Sequence, residues 1–520
     1  MAELGKNNSG VKPVIVLPLF LLFSIMVTWP LAVTSEPHDH ADTLFNSWLI
    51  AWNSHAVLAG QNPLDLPIFE GFPDGNGRND LLLTQSLLAL PLQLSGMDAV
   101  RVHNVLLVLF LAFAGLAASL LAAETSATFY GSMFAGCIVI LLPYFQSHIW
   151  HLQLFSVGFS ILAIVYALRI LKGKCTGWQL ALLVFFQCLA SLYHWYFLNL
   201  VLLILIVSAL FLPERKQLPK MIGWWFAGNL ASLPFLLPHL KNAQTWPIDS
   251  IASTDIAAFL APWGNSFLLG WARQGVVHPE AALWPGLAVV AGSIWFLFKG
   301  RKNKWDVFLV GCLLFFAVFS LGPTLVAFGR ALAPAPFRFF AILPGCSSIR
   351  LPARAAIFAL VPLVIFAGRK LGDKPMLAIV GILLAAATVW HPPLRTIALR
   401  PQPWHQWIAE RCFNKILYLP ISSDMDMPQV ETRRLISSIP HFTPSLNGYS
   451  TTLPDNYVNC AEVLNEWPSD NAKLLIRELE IDCIILKGWQ AFEADTVFFT
   501  DGMSVSVVMP DLRVDNSPWE

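Results

Sequence analysis

The strongest chemical signal in the sequence is a run of two imidazoles and two carboxylates, His38, Asp39, His40 and Asp42. Carboxylates accept protons and, with imidazoles, bind divalent cations. The run therefore predicts a catalytic base or a metal site, with Asp39, His40 and Asp42 as candidate ligands. His40 is also a candidate for substrate binding. Two structural alternatives stay open: a polar cap at a water–lipid boundary, and Asp42 as the N-cap of the helix-like stretch DTLFNSWLIAW.

Five more polar side chains are candidates for substrate binding. His151 and Gln153 belong to the segment SHIWHLQ, and His194 belongs to SLYHWY. Aromatic rings beside hydrogen-bonding groups commonly hold sugar rings, although anchoring at the membrane interface also enriches Trp and Tyr. Arginine pairs bidentately with phosphate, so Arg350 and Arg354 predict contact with a lipid phosphate or diphosphate. Their alternative is contact with anionic lipid headgroups.

Other polar residues are weaker candidates, and several reaction classes are excluded. A Trp- and Pro-rich segment near residue 260 contributes Asp249, Asp255, His278 and Glu280. The sequence contains no P-loop, Rossmann glycine pattern, nucleophile elbow or HExxH motif. Nucleotide-driven chemistry in the cytoplasm is therefore not expected, and no nucleic-acid partner is expected either.

The composition determines what kind of scaffold must position these residues. The mean hydropathy is +0.59, with 56% hydrophobic and 13% charged residues, whereas soluble domains carry about 25% charged residues. An ordinary soluble protein is therefore excluded. Residues 1–400 hold 25 basic and 16 acidic residues, and residues 401–520 hold 8 and 17. This asymmetry predicts a membrane domain over about 1–395 and an acidic second domain over about 396–520.

Long apolar runs predict about eleven transmembrane helices, because about 20 residues span a ~30 Å hydrocarbon core. They lie at about 14–33, 101–122, 127–145, 154–171, 177–195, 197–212, 220–238, 283–298, 305–322, 355–371 and 374–390. If Lys6 and Lys12 are cytoplasmic, the basic turns near 172–174, 215–220, 299–304 and 369–374 all fall on the cytoplasmic side. The first span is expected to be retained, since no small-residue cleavage site follows it. This topology predicts a multi-pass protein with a cytoplasmic N-terminus.

The same topology leaves long segments outside, at about 34–100, 239–282 and 323–354. The apolar stretch Leu81–Leu94 is too short to span comfortably and is expected to lie along the interface or to re-enter. In the tail, β-type runs at 415–420, 481–487 and 504–510 alternate with a helical stretch at 472–480. This pattern predicts a small extracytoplasmic α/β domain. A disulfide among its cysteines and Cys346 is left open.

Taken in order, the motifs resemble those of bacterial polytopic membrane proteins of the GT-C glycosyltransferase superfamily. The first matching element has the pattern acidic–L–x–N–x–W–x–x–A–W and begins at Asp42. The elements that follow it are His151-Leu152-Gln153-Leu154, Ser191-Leu192-Tyr193, Trp284-Pro285-Gly286, Pro344-Gly345 with Arg350-Leu351-Pro352-Ala353-Arg354, and Asn447-Gly448-Tyr449-Ser450. The resemblance covers nearly the whole chain, although each motif is short.

This resemblance implies an α-helical polytopic GT-C-like enzyme of the bacterial inner membrane. Its donor would be a sugar linked to polyprenyl phosphate, among the membrane lipids that surround it. Asp42 would be the general base or a metal-site residue. Asp39 is the alternative, because Ala41 stands where the pattern has glycine. A divalent cation, Mg²⁺ or Mn²⁺, is possible within the superfamily, and phosphate would leave toward Arg350 and Arg354.

Two other functions are compatible with the sequence. A transporter or flippase for lipid-linked glycans would need ionisable residues near the bilayer midplane, but the predicted spans carry almost none. A non-catalytic scaffold would not need its external polar residues to converge. The distinguishing observation is whether Asp42, His151, His194 and Arg350 line one common cleft.

Overall fold

The structure is a computed structural model that describes residues 13–73, 75, 77–269, 280, 282–400, 402–411, 413–422, 428–450, 452–487, 496–500 and 503–508. His278, Cys412 and the last two residues of the predicted run 504–510 lie outside this range. Helices account for most of the described chain up to residue 389, and the main β-sheet follows residue 415.

Most helices before residue 390 are apolar. They are α1 (Pro13–Val27), α2 (Ala41–Leu58), α3 (Leu83–Leu94), α4 (Ala99–Glu124), α5 (Phe129–Ile140), α6 (Pro143–Gln146), α7 (Leu152–Phe155), α8 (Val157–Leu171), α9 (Trp178–Ala190), α10 (Leu192–Leu210), α11 (Leu218–Lys241), α12 (Leu287–Lys299), α13 (Asp306–Phe319), α14 (Phe337–Phe340), α15 (Ile357–Leu371) and α16 (Pro375–Val389). A short antiparallel hairpin, β1 (Thr324–Ala327) and β2 (Arg330–Pro334), lies between α13 and α14.

Five described helical segments are long and apolar enough to cross a membrane: Ala99–Glu124, Phe129–Gln146, Leu152–Leu171, Leu192–Leu210 and Pro352–Leu371. Six shorter apolar helices accompany them: Val16–Val27, Leu83–Leu94, Trp178–Ala190, Leu287–Lys299, Asp306–Phe319 and Pro375–Val389. The protein is therefore a mostly helical, multi-pass membrane protein. The count of eleven spans stays a prediction, since about 20 residues are needed to cross the hydrocarbon core.

The helices pack around α4, which lies against α1, α5 and α8, while α15 lies against α5, α12 and α13. Small residues allow the closest approaches. A Cβ at Gly136 would meet the Gly115 carbonyl oxygen at 2.7 Å, and one at Gly131 would meet the Gly368 carbonyl oxygen at 2.4 Å. Such contacts bring helix backbones together where lipid provides little hydrophobic driving force.

The basic turns gather at one end of the bundle, as their predicted location on a single side requires. Glu124, at the end of α4, pairs with Arg169, Lys172 and Lys174 of the α8–α9 turn. At this end, Arg369 also pairs with Asp306, Lys304 with Glu214, and Asn303 donates to the Thr125 carbonyl. Its assignment to the cytoplasm stays a prediction.

Helix α3 is the short apolar segment that was expected to lie at the interface or to re-enter. Its first turns are buried, and Gln85 Nε2 donates to the Ala190 carbonyl at 2.9 Å, at the end of α9. Thr84 Oγ1 donates to the Phe186 carbonyl at 2.7 Å. Leu87, Leu88 and Leu94, further along the helix, are exposed. The helix therefore docks by its N-terminal half.

Within its described residues, the tail combines a four-stranded sheet with four helices. The strands are β3 (Ile416–Leu419), β4 (Cys483–Lys487), β5 (Thr496–Thr500) and β6 (Met503–Val508), and the helices are α17 (Pro403–Ala409), α18 (Pro428–Ser437), α19 (Tyr457–Asn465) and α20 (Asp470–Glu478). The sheet order is β3-β4-β6-β5, and only β3 and β4 are parallel. The three predicted β-type runs coincide with β3, β4 and β6.

The tail shares a hydrophobic core with α2. Leu44 and Trp48 of α2 belong to the same buried cluster as Leu417 and Ile484 of the sheet. Trp48 Nε1 also donates to Ser438 Oγ at 3.3 Å. Helix α2 is thus held in place by the tail. A domain boundary near residue 396 stays a prediction.

A pair of stacked imidazoles makes the tail sensitive to acid. His405 Nδ1 and His441 Nε2 lie 3.0 Å apart, and the Thr443 amide donates to His441 Nδ1. The proton is therefore on His441 Nε2, which donates to His405. Burial lowers the pKa of His405 to about 3 and that of His441 to about 4. A histidine in the unfolded chain has a pKa near 6.5. Below pH 6.5 and down to these lower pKa values, the unfolded chain therefore binds more protons than the folded chain, and the free energy of unfolding falls as the pH falls.

We therefore expect the apparent melting temperature to fall from pH 7.5 to pH 5.0, and less steeply in a His405→Gln/His441→Gln double variant. Each neutral imidazole contributes up to about 2 kcal/mol to this difference at pH 5. Thermal unfolding in detergent, followed by intrinsic fluorescence, measures it. The exposed His55→Gln is the control and should keep the wild-type slope. An unchanged slope in the double variant would contradict the assignment.

Candidate functional site

The site is built on the first turn of α2. His40 is the N-cap residue, and its Nδ1 accepts a hydrogen bond from the Asp42 amide at 3.2 Å. The alternative in which Asp42 caps this helix is therefore wrong. Its carboxylate is free to point away from the helix axis, and a quarter of the side chain is exposed. A helix N-terminus also favours a nearby negative charge.

Asp42 accepts from one tyrosine and lies beside two histidines. Tyr449 Oη donates to Asp42 Oδ1 at 2.7 Å, across 407 residues of sequence. Oδ2 lies 3.2 Å from His151 Nε2 and 3.6 Å from His40 Nδ1. Because His40 Nδ1 already accepts the Asp42 amide proton, a neutral His40 makes no hydrogen bond to the carboxylate. His151 and Tyr449 therefore orient Asp42.

Behind His151 lies a buried ion pair. Arg354 donates from Nε to Glu280 Oε2 and from Nη2 to Glu280 Oε1, both at 3.0 Å. Arg354 is 7% exposed and its guanidinium lies over the Tyr193 ring at 5.0 Å. His148 Nε2 is 3.5 Å from Glu280 Oε2. The pair is bidentate, the geometry in which a buried guanidinium and carboxylate compensate each other best.

His151 connects this ion pair to Asp42. Its Nε2 lies 3.1 Å from Arg354 Nη2 and 3.2 Å from Asp42 Oδ2. With a proton, Nε2 donates to the carboxylate; without one, it accepts from the guanidinium. It cannot do both, so the donor or acceptor role of Nε2 selects its partner.

Electrostatics keep both carboxylates ionised. Burial alone would raise the pKa of Asp42, but the hydrogen bond and charge of His151 outweigh it and lower the pKa to about 2. Burial likewise opposes ionisation of Glu280, and Arg354, His151 and His148 hold its pKa well below the usual range. Both side chains are therefore negatively charged at neutral pH.

The segment from Ser147 to Gln153 is fastened to α2 by side chains. Asn46 Nδ2 donates to the Trp150 carbonyl at 3.2 Å and to Gln153 Oε1 at 3.3 Å. The His40 ring stacks on Trp150, with centroids 4.6 Å apart and planes at 14°. Gln153 is therefore a buried positioning residue in this structure, and the predicted contact with substrate stays untested.

The remaining predicted site residues lie at different depths. Asp39 is exposed, and its amide donates to the Arg395 carbonyl at 3.2 Å. Arg350 is exposed and lies over the Trp246 ring at 5.5 Å. His194 is completely buried against Phe358, with both ring nitrogens unpartnered among the described residues. Contacts thus bring together Asp42, His40, His151 and Arg354, whereas His194 is out of reach of bulk solvent.

Sequence reasoning ranked Glu280 low and did not select Tyr449 as a site residue. Glu280 lies in a segment with no distinctive local pattern. Tyr449 belongs to the element Asn447-Gly448-Tyr449-Ser450, which does not mark the tyrosine as a partner of Asp42. The partners of both residues are more than 70 residues away. The other acids of the same loop have structural contacts. Asp255 accepts from the Phe328 and Gly329 amides of the β1–β2 turn, and Asp249 pairs with Arg338.

The residues around Asp42 do not assemble a cation site by themselves. Within the described part of the chain, no group of three or more His, Cys, Asp and Glu side chains is arranged to hold a metal ion. Mg²⁺ requires near-octahedral oxygen ligands, whereas Glu280 is engaged by a guanidinium and Asp42 by a tyrosine and a histidine. We therefore derive no step through a cation.

The fold is similar to that of solved glycosyltransferases, whereas no family model and no curated protein matches the sequence. A single-particle cryo-EM structure of the arabinofuranosyltransferase AftD from Mycobacteria matches with a TM-score of 0.58 and 13% identity, over 91% of this chain and 35% of that chain. A mutant form matches with a TM-score of 0.59 and 12% identity, over 93% and 37%.

The apo crystal structure of the Archaeoglobus fulgidus oligosaccharyltransferase matches more weakly, with a TM-score of 0.46 and 13% identity over 91% of this chain and 69% of that chain. That score is too low to carry weight. The AftD likeness is high enough to define the architecture, and the protein has a GT-C-like membrane fold. At this identity the likeness concerns the fold alone, and the chain spans about a third of AftD.

We expect Glu280→Gln to destabilise the protein by about 3–5 kcal/mol, because it leaves the buried Arg354 without its counter-charge. The free energy of unfolding in mixed detergent micelles measures this loss. The matched control is Asp249→Asn, which removes the carboxylate from an exposed arginine pair and should cost about 0–1 kcal/mol. Equal losses in the two variants would show that the Arg354 pair is not a structural constraint.

Proposed function

We propose that the protein is an integral membrane glycosyltransferase that transfers a sugar from a lipid-phosphate-linked donor to an acceptor hydroxyl on the extracytoplasmic face. One observation carries the proposal: an accessible, ionised carboxylate, Asp42, is oriented by Tyr449 and His151 at the end of a GT-C-like bundle. The charges around it lie at the end of the helices rather than halfway along them.

The reaction uses Asp42 as the proton acceptor. The bond between the anomeric carbon and the phosphate oxygen breaks, the acceptor oxygen bonds to that carbon, and its proton passes to the Asp42 carboxylate. A carboxylate with a pKa of about 2 is a weak base toward a free alcohol. Asp42 becomes an effective base late in the reaction, when partial bonding to the anomeric carbon has made the acceptor hydroxyl acidic. Its negative charge also stabilises the oxocarbenium-like transition state.

His151 and the ion pair behind it tune this carboxylate. With its proton on Nε2, His151 stabilises ionised Asp42 before transfer. Arg354 Nη2 lies 3.1 Å from the same nitrogen, so the buried pair holds the imidazole beside Asp42. The proton taken from the acceptor stays on the Asp42 carboxylate until water removes it, since a quarter of that side chain is exposed.

Arg350 is the cation that we assign to the departing phosphate. Its guanidinium is exposed and stacked on Trp246, and it makes no ion pair with any described residue. Arg354 was also predicted for this role, but it is buried and its Nε and Nη2 face Glu280. We therefore propose Arg350 as the direct phosphate contact and Arg354 as a positioning residue.

The finer features of the prediction belong to this proposal as well. They are the polyprenyl phosphate carrier, the eleven-span topology with a cytoplasmic N-terminus, the bacterial inner membrane and an extracytoplasmic C-terminal α/β domain. The name of AftD makes a pentofuranosyl donor one of the sugars to test. A lipid-linked glycan transporter is disfavoured because the ionisable cluster converges at one end of the bundle, where surface chemistry takes place.

We expect Asp42→Asn to reduce turnover by about 10²–10⁴-fold, the usual loss when a general base is removed. The assay uses purified protein in proteoliposomes with a panel of farnesyl-phosphate-linked sugars. It measures transfer to octyl glycosides and release of free sugar, with water as the acceptor.

Asp39→Asn is the matched control, since this exposed carboxylate lies three residues upstream, and it should keep wild-type turnover. If Asp39→Asn is inactive while Asp42→Asn is active, the base is Asp39. If the wild-type protein turns over no member of the panel, the transferase proposal fails, and a non-catalytic scaffold becomes the function to test.

We also expect turnover to survive dialysis against EDTA, because the positive charges near Asp42 come from histidine and arginine side chains. Initial rates before dialysis, after dialysis, and after addition of Mg²⁺ or Mn²⁺ test this. Loss of activity with EDTA and recovery with either ion would establish a cation at Asp39, His40 or Asp42 and replace this mechanism.

A further inference from the structure

A second carboxylate, Asp80, interacts electrostatically with Arg354, His151 and Tyr193, the side chains behind Asp42. Its Oδ1 accepts from the Leu192 amide at 3.2 Å, at the start of α10. The next residue is Tyr193, whose ring carries the Arg354 guanidinium at 5.0 Å. Asp80 is therefore hydrogen-bonded to the residue next to Tyr193, and the Tyr193 ring contacts the guanidinium of the Arg354–Glu280 pair.

The segment that carries Asp80 is held rigidly by three other parts of the chain. Asn79 Nδ2 donates to the Tyr449 carbonyl at 3.3 Å, and His239 Nε2 donates to the Asn79 carbonyl at 2.7 Å. Arg78 Nη1 donates to Thr452 Oγ1 at 3.1 Å. Tyr449 is also the residue that hydrogen-bonds Asp42, so one loop connects the two carboxylates.

The contact with the Leu192 amide occupies one carboxylate oxygen of Asp80. The N-cap of α10, Ser191, accepts from the His194 amide, so Ser191 and Asp80 satisfy different backbone donors at this helix end. Asp80 makes no ion pair with a described residue, and Arg354, the strongest nearby charge, is committed to Glu280. The residue is half-buried. A carboxylate that lies near buried charged groups and has no direct counter-charge is typical of a functional site.

We propose that Asp80 forms a hydroxyl-binding subsite, which holds a sugar hydroxyl of the donor or of the acceptor while Asp42 acts at the anomeric centre. The inference rests on the proposed glycosyl transfer. A carboxyl group held at one point suits this task, since one oxygen accepts from the Leu192 amide and the other remains for the ligand.

The electrostatic environment supports a hydrogen-bonding role. Burial raises the pKa of Asp80, only partly opposed by the Leu192 amide and by Arg354, His239 and His151. Tyr193 and Cys188 are the other ionisable groups that interact with it. A carboxyl group of this kind can accept from a hydroxyl when ionised and can also donate to one when protonated.

The test is Asp80→Asn, which keeps an oxygen for the Leu192 amide, measured beside Asp42→Asn and Asp65→Asn. Asp65 is an exposed acid of the same segment and is the matched control. The probes are the farnesyl-phosphate-linked sugar with the highest turnover and its octyl glycoside acceptor. Steady-state kinetics give kcat and KM for each substrate, and the melting temperature checks folding.

We expect Asp80→Asn to raise KM about 10–100-fold for one substrate, the loss typical of a charged hydrogen bond, with kcat changed far less than in Asp42→Asn. A rise for the donor alone assigns the subsite to the transferred sugar, and a rise for the acceptor alone assigns it to the acceptor. A monodeoxy analogue of that substrate should bind the wild type and the variant equally well, because the hydroxyl that Asp80 holds is missing.

The possible failures are distinguishable. If Asp42→Asn is inactive while Asp80→Asn matches Asp65→Asn in both KM values, Asp80 does not bind a substrate hydroxyl, and the proposed function stands. If Asp80→Asn lowers kcat with both KM values unchanged, hydroxyl binding is also wrong. If Asp80→Asn does not fold, the monodeoxy series with the wild type decides, and equal KM values for every analogue overturn the subsite. If the wild type has no turnover, both proposals fall.

Discussion

The buried pair between Arg354 and Glu280 is the constraint on which the rest of the site depends. Removing two charges from water is costly, and only bidentate geometry with further hydrogen bonds offsets that cost. The loop that carries Glu280, the start of α15 and the turn after α6 must therefore meet at one point. Tyr144 Oη contributes by donating to the Arg354 carbonyl at 3.0 Å, which fixes the backbone of the arginine.

The imidazole of His151 connects this ion pair to Asp42. His151 touches both the guanidinium and the Asp42 carboxylate, so the position of the ion pair determines where His151 can lie. From the other side, Tyr449 holds Asp42 through a tail that shares its core with α2. The membrane bundle and the tail are thus both needed to orient one carboxylate, which explains why residues so distant in sequence form one cluster.

The competing candidates in the opening run show what a local pattern can and cannot resolve. Asp39 and Asp42 have the same side chain and lie three residues apart, and composition alone does not separate them. Helix geometry separates them: His40 caps α2, which turns Asp42 inward and leaves Asp39 exposed. His194 was grouped with His151 because both lie in aromatic, His-bearing segments, yet His194 is completely buried. Depth along a helix is not visible in such a pattern.

The sequence by itself determined the membrane class, the apolar helices, the common end of the basic turns and the β-type runs of the tail. These follow from hydropathy, charge and periodicity, which act over a few neighbouring residues. The short motifs also selected Asp42, His151 and Arg354. Only the tertiary structure decided that Glu280 and Tyr449 join them, because hydrogen bonds and ion pairs between distant segments depend on how the helices pack, and no local spacing encodes that packing.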